Sequence, residues 1–84
     1  RRIEVKGYSR GNDIQMTTNE WYKAQQLGST YWLYVVWDPL GEKPEVVRIQ
    51  NPAEKLDYAK REIVLARMFA IPAAAIQGLQ SGTG

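Results

Sequence analysis

Tyr31-Trp32-Leu33-Tyr34-Val35-Val36-Trp37 is the stretch on which the fold turns. Every residue in it is apolar or aromatic, and all but Leu33 are β-branched or ring-bearing, the types that fit a pleated surface. A strand with one wet face alternates apolar and polar residues, whereas a strand covered on both faces does not. The stretch therefore predicts a central strand sandwiched between two layers.

Upstream of it, Thr17 offers a helix N-cap and Glu20 stands three residues later, the capping-box spacing. Trp21, Ala24 and Leu27 follow on one helical face, and Gly28 suits the position that ends a helix, so a helix is predicted over 18–27. Ile14-Gln15-Met16 fits a very short strand, and Ser9 to Asp13 has the composition of a loop. Arg2-Ile3-Glu4-Val5-Lys6 alternates strictly until Gly7. Alternation puts Ile3 and Val5 on one face, expected beneath the 18–27 helix, and Arg2, Glu4 and Lys6 on the other. Strand, helix and buried strand in this order predict that 2–6 and 31–37 run parallel.

Downstream, Asp38 to Pro44 makes a turn and Glu45 to Gln50 an alternating strand that returns antiparallel. Asn51-Pro52-Ala53-Glu54 reads as N-cap, N1 proline and acidic N3. Leu56, Ala59, Ile63, Ala66 and Ala70 continue at helical spacing until Pro72, which predicts a helix through 56–70. Ala73 to Leu79 adds a turn or two, and 81–84 is expected to be a frayed tail. The expected fold is mixed α/β, a βαββα unit with 31–37 at its centre, in a single domain over residues 1–80. The 56–70 helix carries more apolar surface than one face needs. It is the expected seat for other domains of a parent protein or for a homo-oligomer contact.

The 84 residues allow one domain at most, burying about 60–65% of the surface of the unfolded chain. Cysteine and histidine are both absent. That excludes disulfides, zinc sites of the usual kind, and Ser–His or Cys–His catalysis. Eleven basic and nine acidic residues leave a net charge of +2, too small to argue for nucleic acid by itself. Its placement says more: Arg1, Arg2, Lys6 and Arg10 fall in the first ten residues against Glu4 alone. Four phosphate contacts would give a log K against log salt slope of roughly −4 at most. No apolar run approaches the ~18 residues of a membrane span. The expected location is the cytoplasm, or the nucleus in a eukaryote. The chain opens on Arg1-Arg2 and enters a strand pattern at once, so it reads as a domain cut from a longer protein.

Glu4-Val5-Lys6 is the one arrangement with a chemical reading. A carboxylate and an ammonium two residues apart on a strand share a face, about 7 Å apart at the backbone. Glu4 can hold a hard cation such as Mg²⁺, with the Val5 carbonyl as a second oxygen, while Lys6 orients a bound water or steadies a phosphate. Taken alone, the triplet is more often a surface ion pair. Tyr8 and Arg10, in the loop after it, are candidate DNA contacts. Trp21, Trp32 and Trp37 could stack on bases, but at least two of them are expected in the core. Lys60 and Arg61 read as a solvated helix face.

The blocks Ile3-Glu4-Val5-Lys6-Gly7, Thr18-Asn19-Glu20-Trp21 with Ala24, Tyr31 to Val36, and Ile49-Gln50-Asn51-Pro52 stand in the order and spacing of one family. Together they resemble the NO VEIN C-terminal domain, found in NO VEIN-type plant proteins and attached to bacterial helicase-like proteins. The resemblance runs from residue 2 to about 56. That family is similar to the PD-(D/E)XK, restriction-endonuclease-like fold. The resemblance implies that Glu4 is the metal-binding carboxylate, Lys6 its lysine, and Glu20 a polar contribution from the following helix. It implies a metal-dependent nuclease-like or DNA-binding domain, with Mg²⁺ as cofactor and DNA as partner. The fold's other metal-binding Asp lies on a strand before this one and has no counterpart here. The chain alone is therefore expected to hold Mg²⁺ weakly and to lack nuclease activity. The rival reading is a non-catalytic protein-interaction module that keeps the fold.

Overall fold

The computed structural model describes residues 1–63 and 68–82. Strand β1 (Arg2–Tyr8) is followed by a loop, the short β2 (Ile14–Thr17), helix α1 (Thr18–Leu27), a 3-10 turn (Gly28–Thr30) and β3 (Tyr31–Trp37). Then come β4 (Glu45–Gln50), the short α2 (Pro52–Leu56), β5 (Arg61–Ile63), β6 (Met68–Ile71) and α3 (Ala73–Gly82). The fold is mixed α/β. One three-stranded sheet has the order β1-β3-β4, and a second has the order β2-β6-β5. β3 is the centre of the first, parallel to β1 and antiparallel to β4, as its sequence predicts.

Helix α1 starts and stops on local chemistry. The Thr17 hydroxyl accepts from the Glu20 N–H at 3.1 Å, and the Glu20 carboxylate accepts from the Thr17 N–H at 2.8 Å, which closes the capping box. Gly28 ends the helix at φ 55°, a conformation that costs glycine little. Trp21 and Ala24 turn inward and are fully buried. One core joins both sheets: Tyr31, Leu33, Val35 and Trp37 from β3 meet Ile14, Met16, Trp21, Phe69, Ile71 and Ile76.

The structure departs from the sequence expectation in three places. Among the described residues the helix predicted over 56–70 is not there: α2 ends at Leu56, and β5 and β6 form antiparallel strands. Of the stripe that suggested it, Ala66 lies outside the described residues. The reason is β2, whose backbone donors and acceptors need a neighbour and find one in β6, Ile14 opposite Ile71 and Met16 opposite Phe69. Pairing there buries Phe69, Ala70 and Ile71 together, which a single helical face could not do. The proposed oligomer seat on that helix goes with it.

The second departure is β1, which presents the opposite face. Ile3 and Val5 are 40% and 58% exposed, while Glu4, Lys6 and Tyr8 turn toward the core side. The register explains it, with Glu4 opposite Leu33 and Lys6 opposite Val35, on the face that looks at α1. Third, β3 is fully buried on one face only. Its other face, with Trp32, Tyr34 and Val36, is half-buried, and it is continuous with exposed Ile3, Val5 and Val46. Among the described residues no element covers it. α3 runs through Gly82, past the predicted Leu79, so 81–82, expected in a frayed tail, are helical, and 83–84 lie outside the described residues. No helix among the described residues is long and apolar enough to cross a membrane.

Candidate functional site

Alternation along β1 carries Arg2, Glu4 and Lys6 to the inner face, and the capping box fixes Glu20 at the start of α1 directly opposite. Lys6 Nζ donates to both Glu20 carboxylate oxygens, at 2.9 and 3.0 Å. Arg2 lies 3.6 Å from Glu4 Oε1. The three residues nominated from sequence as catalytic are thus brought together, each side chain about one-fifth exposed. Beside them, Arg2, Asn19, Glu20 and Tyr22 line a cleft of about 390 Å³. A larger groove of about 650 Å³ lies at the far end of β1, between Gly7–Ser9 and Asp38–Lys43, away from the cluster.

The electrostatics follow from these contacts. Burial alone would raise the Glu20 carboxyl, but the Thr17 backbone N–H and the hydrogen bond and charge of Lys6 hold it below the usual carboxylate range. Burial, with the Glu4 and Glu20 charges added, pushes the Tyr31 hydroxyl up to about 12, against the pull of Arg2. That hydroxyl finds no hydrogen-bond partner among the described residues.

A carboxyl with a lowered folded pKa stabilises the fold above its unfolded value and loses that contribution as pH falls through the folded one. Glu20→Gln should therefore cost roughly 1–2 kcal/mol at pH 7. The gap to the parent protein should close as pH drops below the unfolded value near 4.5. Urea unfolding of both proteins from pH 7 to pH 3 checks this. A gap that stays constant would mean that the charge on Glu20 contributes nothing.

The nominated nucleic-acid contacts fare differently. Arg2 and Lys6 are paired as above. The Arg10 backbone N–H donates to Asp38 Oδ1 at 2.9 Å, and its guanidinium pairs with Asp38 and Glu45. Tyr8 is half-buried against the core, and its hydroxyl accepts from the Gln15 N–H at 3.3 Å. Of the four cations in the first ten residues, Arg1 is the one set instead against a ring, 5.8 Å above Trp32. Trp21 and Trp37 are fully buried, which leaves Trp32 as the accessible indole. Lys60 pairs with Asp57 and sits over the Trp21 ring, and Arg61 pairs with Asp13. The sequence reading passed over Arg48, which stands 5.4 Å over Tyr34. Its place in the alternation of β4 was the available signal, since cross-strand neighbours on one face are in contact.

As a metal site the donor set falls short. Mg²⁺ takes oxygen donors in near-octahedral geometry. Glu4 is flanked by Arg2, Glu20 is engaged by Lys6 and Thr17, and Val5 adds one carbonyl. Among the described residues no group of three or more His, Cys, Asp or Glu gathers to hold an ion. These residues do not fit a resident Mg²⁺.

Fold and cluster together define a small mixed α/β domain with a strand-borne Glu-x-Lys pair facing a capped helix. The family described as Protein NO VEIN, C-terminal, matches residues 1–49, which is more than half of the chain. The chain belongs to the NO VEIN C-terminal family. No curated protein and no solved structure matches it.

Proposed function

We propose that the domain is the nuclease-like, DNA-contacting part of a larger, helicase-linked DNA-processing protein, with Glu4, Lys6 and Glu20 as its working cluster. One observation carries this: Lys6 on the strand bonds Glu20 on the helix after it, Glu4 shares the strand face with Lys6, and Glu20 and Arg2 open onto a cleft beside them. That is the arrangement expected of a site that handles phosphodiesters. Hydrolysis through a metal would need oxygen donors beyond those described, since Glu4 and the Val5 carbonyl would leave an ion mostly hydrated.

Residues 1–84 alone should therefore show no cleavage of supercoiled plasmid with Mg²⁺ or Mn²⁺. In a longer protein that carries the domain and cuts DNA, Glu4→Ala should abolish metal-dependent cleavage. It should also leave the Tm within a few degrees, because the Arg2–Glu4 pair is long and partly exposed. Cleavage unchanged by Glu4→Ala would take the cluster out of the reaction. Clean cleavage by residues 1–84 that vanishes in Glu4→Ala would overturn the donor count.

The rival, a non-catalytic interaction module, has its own support. Both motif charges are already paired inside the chain, Glu4 with Arg2 and Lys6 with Glu20. Cleavage by the longer protein that persists without Glu4 and Lys6 favours it.

A further inference from the structure

The face of the β1-β3-β4 sheet that looks away from the core is built unlike an ordinary solvated face. Trp32 and Tyr34 lie two apart on its central strand, about 7 Å between backbones, and meet edge to face with ring centroids 6.2 Å apart. Arg1 stands over the first ring and Arg48 over the second. Val5, beside Tyr34 in the register, and Val46, beside Val36, flank them and are exposed. The other positions the register places on this face include no Asp or Glu, so its charge is wholly positive.

We propose that this open face is a stacking platform for single-stranded DNA. The inference rests on the DNA-contacting half of the reading above but uses the opposite side of the sheet. Bases present a π-face whatever their sequence, and phosphates follow them at a spacing that long cationic side chains can reach. The two guanidiniums keep the ring faces occupied in the free protein. When a base takes a ring face, its guanidinium moves to the adjacent phosphate, which exchanges a cation–π contact for a charge-assisted hydrogen bond. A protein partner would also fit the apolar flank. It would have to place its own carboxylates against both arginines, whereas a single strand brings a phosphate with every base, and the pairing of rings with cations therefore favours the nucleic acid. Two cations give a log–log salt slope of about −1.4 on a single strand, well short of the four-contact limit.

The test is fluorescence anisotropy of a labelled oligothymidine, twenty nucleotides long by design, against the purified chain and its variants. Trp32→Ala should weaken binding roughly 5- to 150-fold. Trp32→Phe, which keeps a ring, should stay within about threefold of the parent chain and controls for folding. Arg48→Glu should weaken binding and flatten the salt slope, while Tyr58→Ala, at an exposed ring elsewhere, should change nothing. Absence of binding by the parent chain overturns the platform. So does affinity indifferent to Trp32→Ala, or sedimentation showing this face closed by a second copy. Plasmid cleavage by the longer protein is scored separately. Its dependence on Glu4 can fail while the oligothymidine series succeeds, and the reverse, so the two readings fall independently.

Discussion

Trp21→Ala is expected to remove about 3–5 kcal/mol of stability, the cost of deleting a large aromatic from a closed core. Trp21 is fully buried on α1, and its ring lies 5.5 Å from Phe69 on β6, so one side chain joins the helix to the second sheet. The Lys60 ammonium stands 5.4 Å above the same ring and would lose its seat as well. A domain of this size has on the order of 4–13 kcal/mol to lose at 0.05–0.15 kcal/mol per residue. The variant should therefore sit near the limit of folding, with a Tm lower by roughly 12–40 °C. Urea unfolding followed by far-UV circular dichroism measures it. A loss under about 1 kcal/mol would show that the ring is not part of the core.

The second large effect goes in the opposite direction. Gln15 on β2 and Ala70 on β6 are direct partners in an antiparallel ladder. Such partners lie about 4.5–5.5 Å apart at Cα, within the range that a disulfide spans. The chain has no cysteine of its own to compete. Gln15→Cys combined with Ala70→Cys should therefore cross-link on mild oxidation. By joining positions far apart in sequence, the bond should raise stability by about 2–4 kcal/mol. Comparison of oxidised and reduced protein in urea gives the number. Failure to cross-link in the folded protein would count against the β2–β6 ladder. The experiment thus bears on the largest difference between sequence and structure.

That difference has a definite origin. Leu56, Ala59, Ile63 and Ala70 do fall at helical spacing, and nothing local argues against a helix there. What decides the outcome is a strand more than forty positions earlier, Ile14–Thr17, whose edge has to be paired. Helical periodicity is a property of a segment; the need for a partner strand is a property of the assembled chain. The same limit applied to β1. Strict alternation in Arg2-Ile3-Glu4-Val5-Lys6 separates two faces, but it does not say which one turns inward. The register with β3 sets this, with Glu4 opposite Leu33 and Lys6 opposite Val35, so that Lys6 meets Glu20 beneath α1 and the aliphatic pair is left on the open side.

The elements whose signals are local can be read along the chain. They are the capping box at Thr17 and Glu20, the stop at Gly28, the central strand at Tyr31–Trp37, and the parallel and antiparallel neighbours that flank it. That Glu4 and Lys6 share a face is local too, because a strand's period of two leaves no choice. It took the assembled chain to turn this charged face toward α1, to close Glu20 on Lys6, and to hold Arg10 between Asp38 and Glu45. Assembly also left Trp32 and Tyr34 beneath two arginines on an open sheet. Backbone propensity and capping act over a few residues and can be read along the chain. Charge pairing, strand pairing and the choice of a covered face act between residues that meet only after the chain has closed on itself.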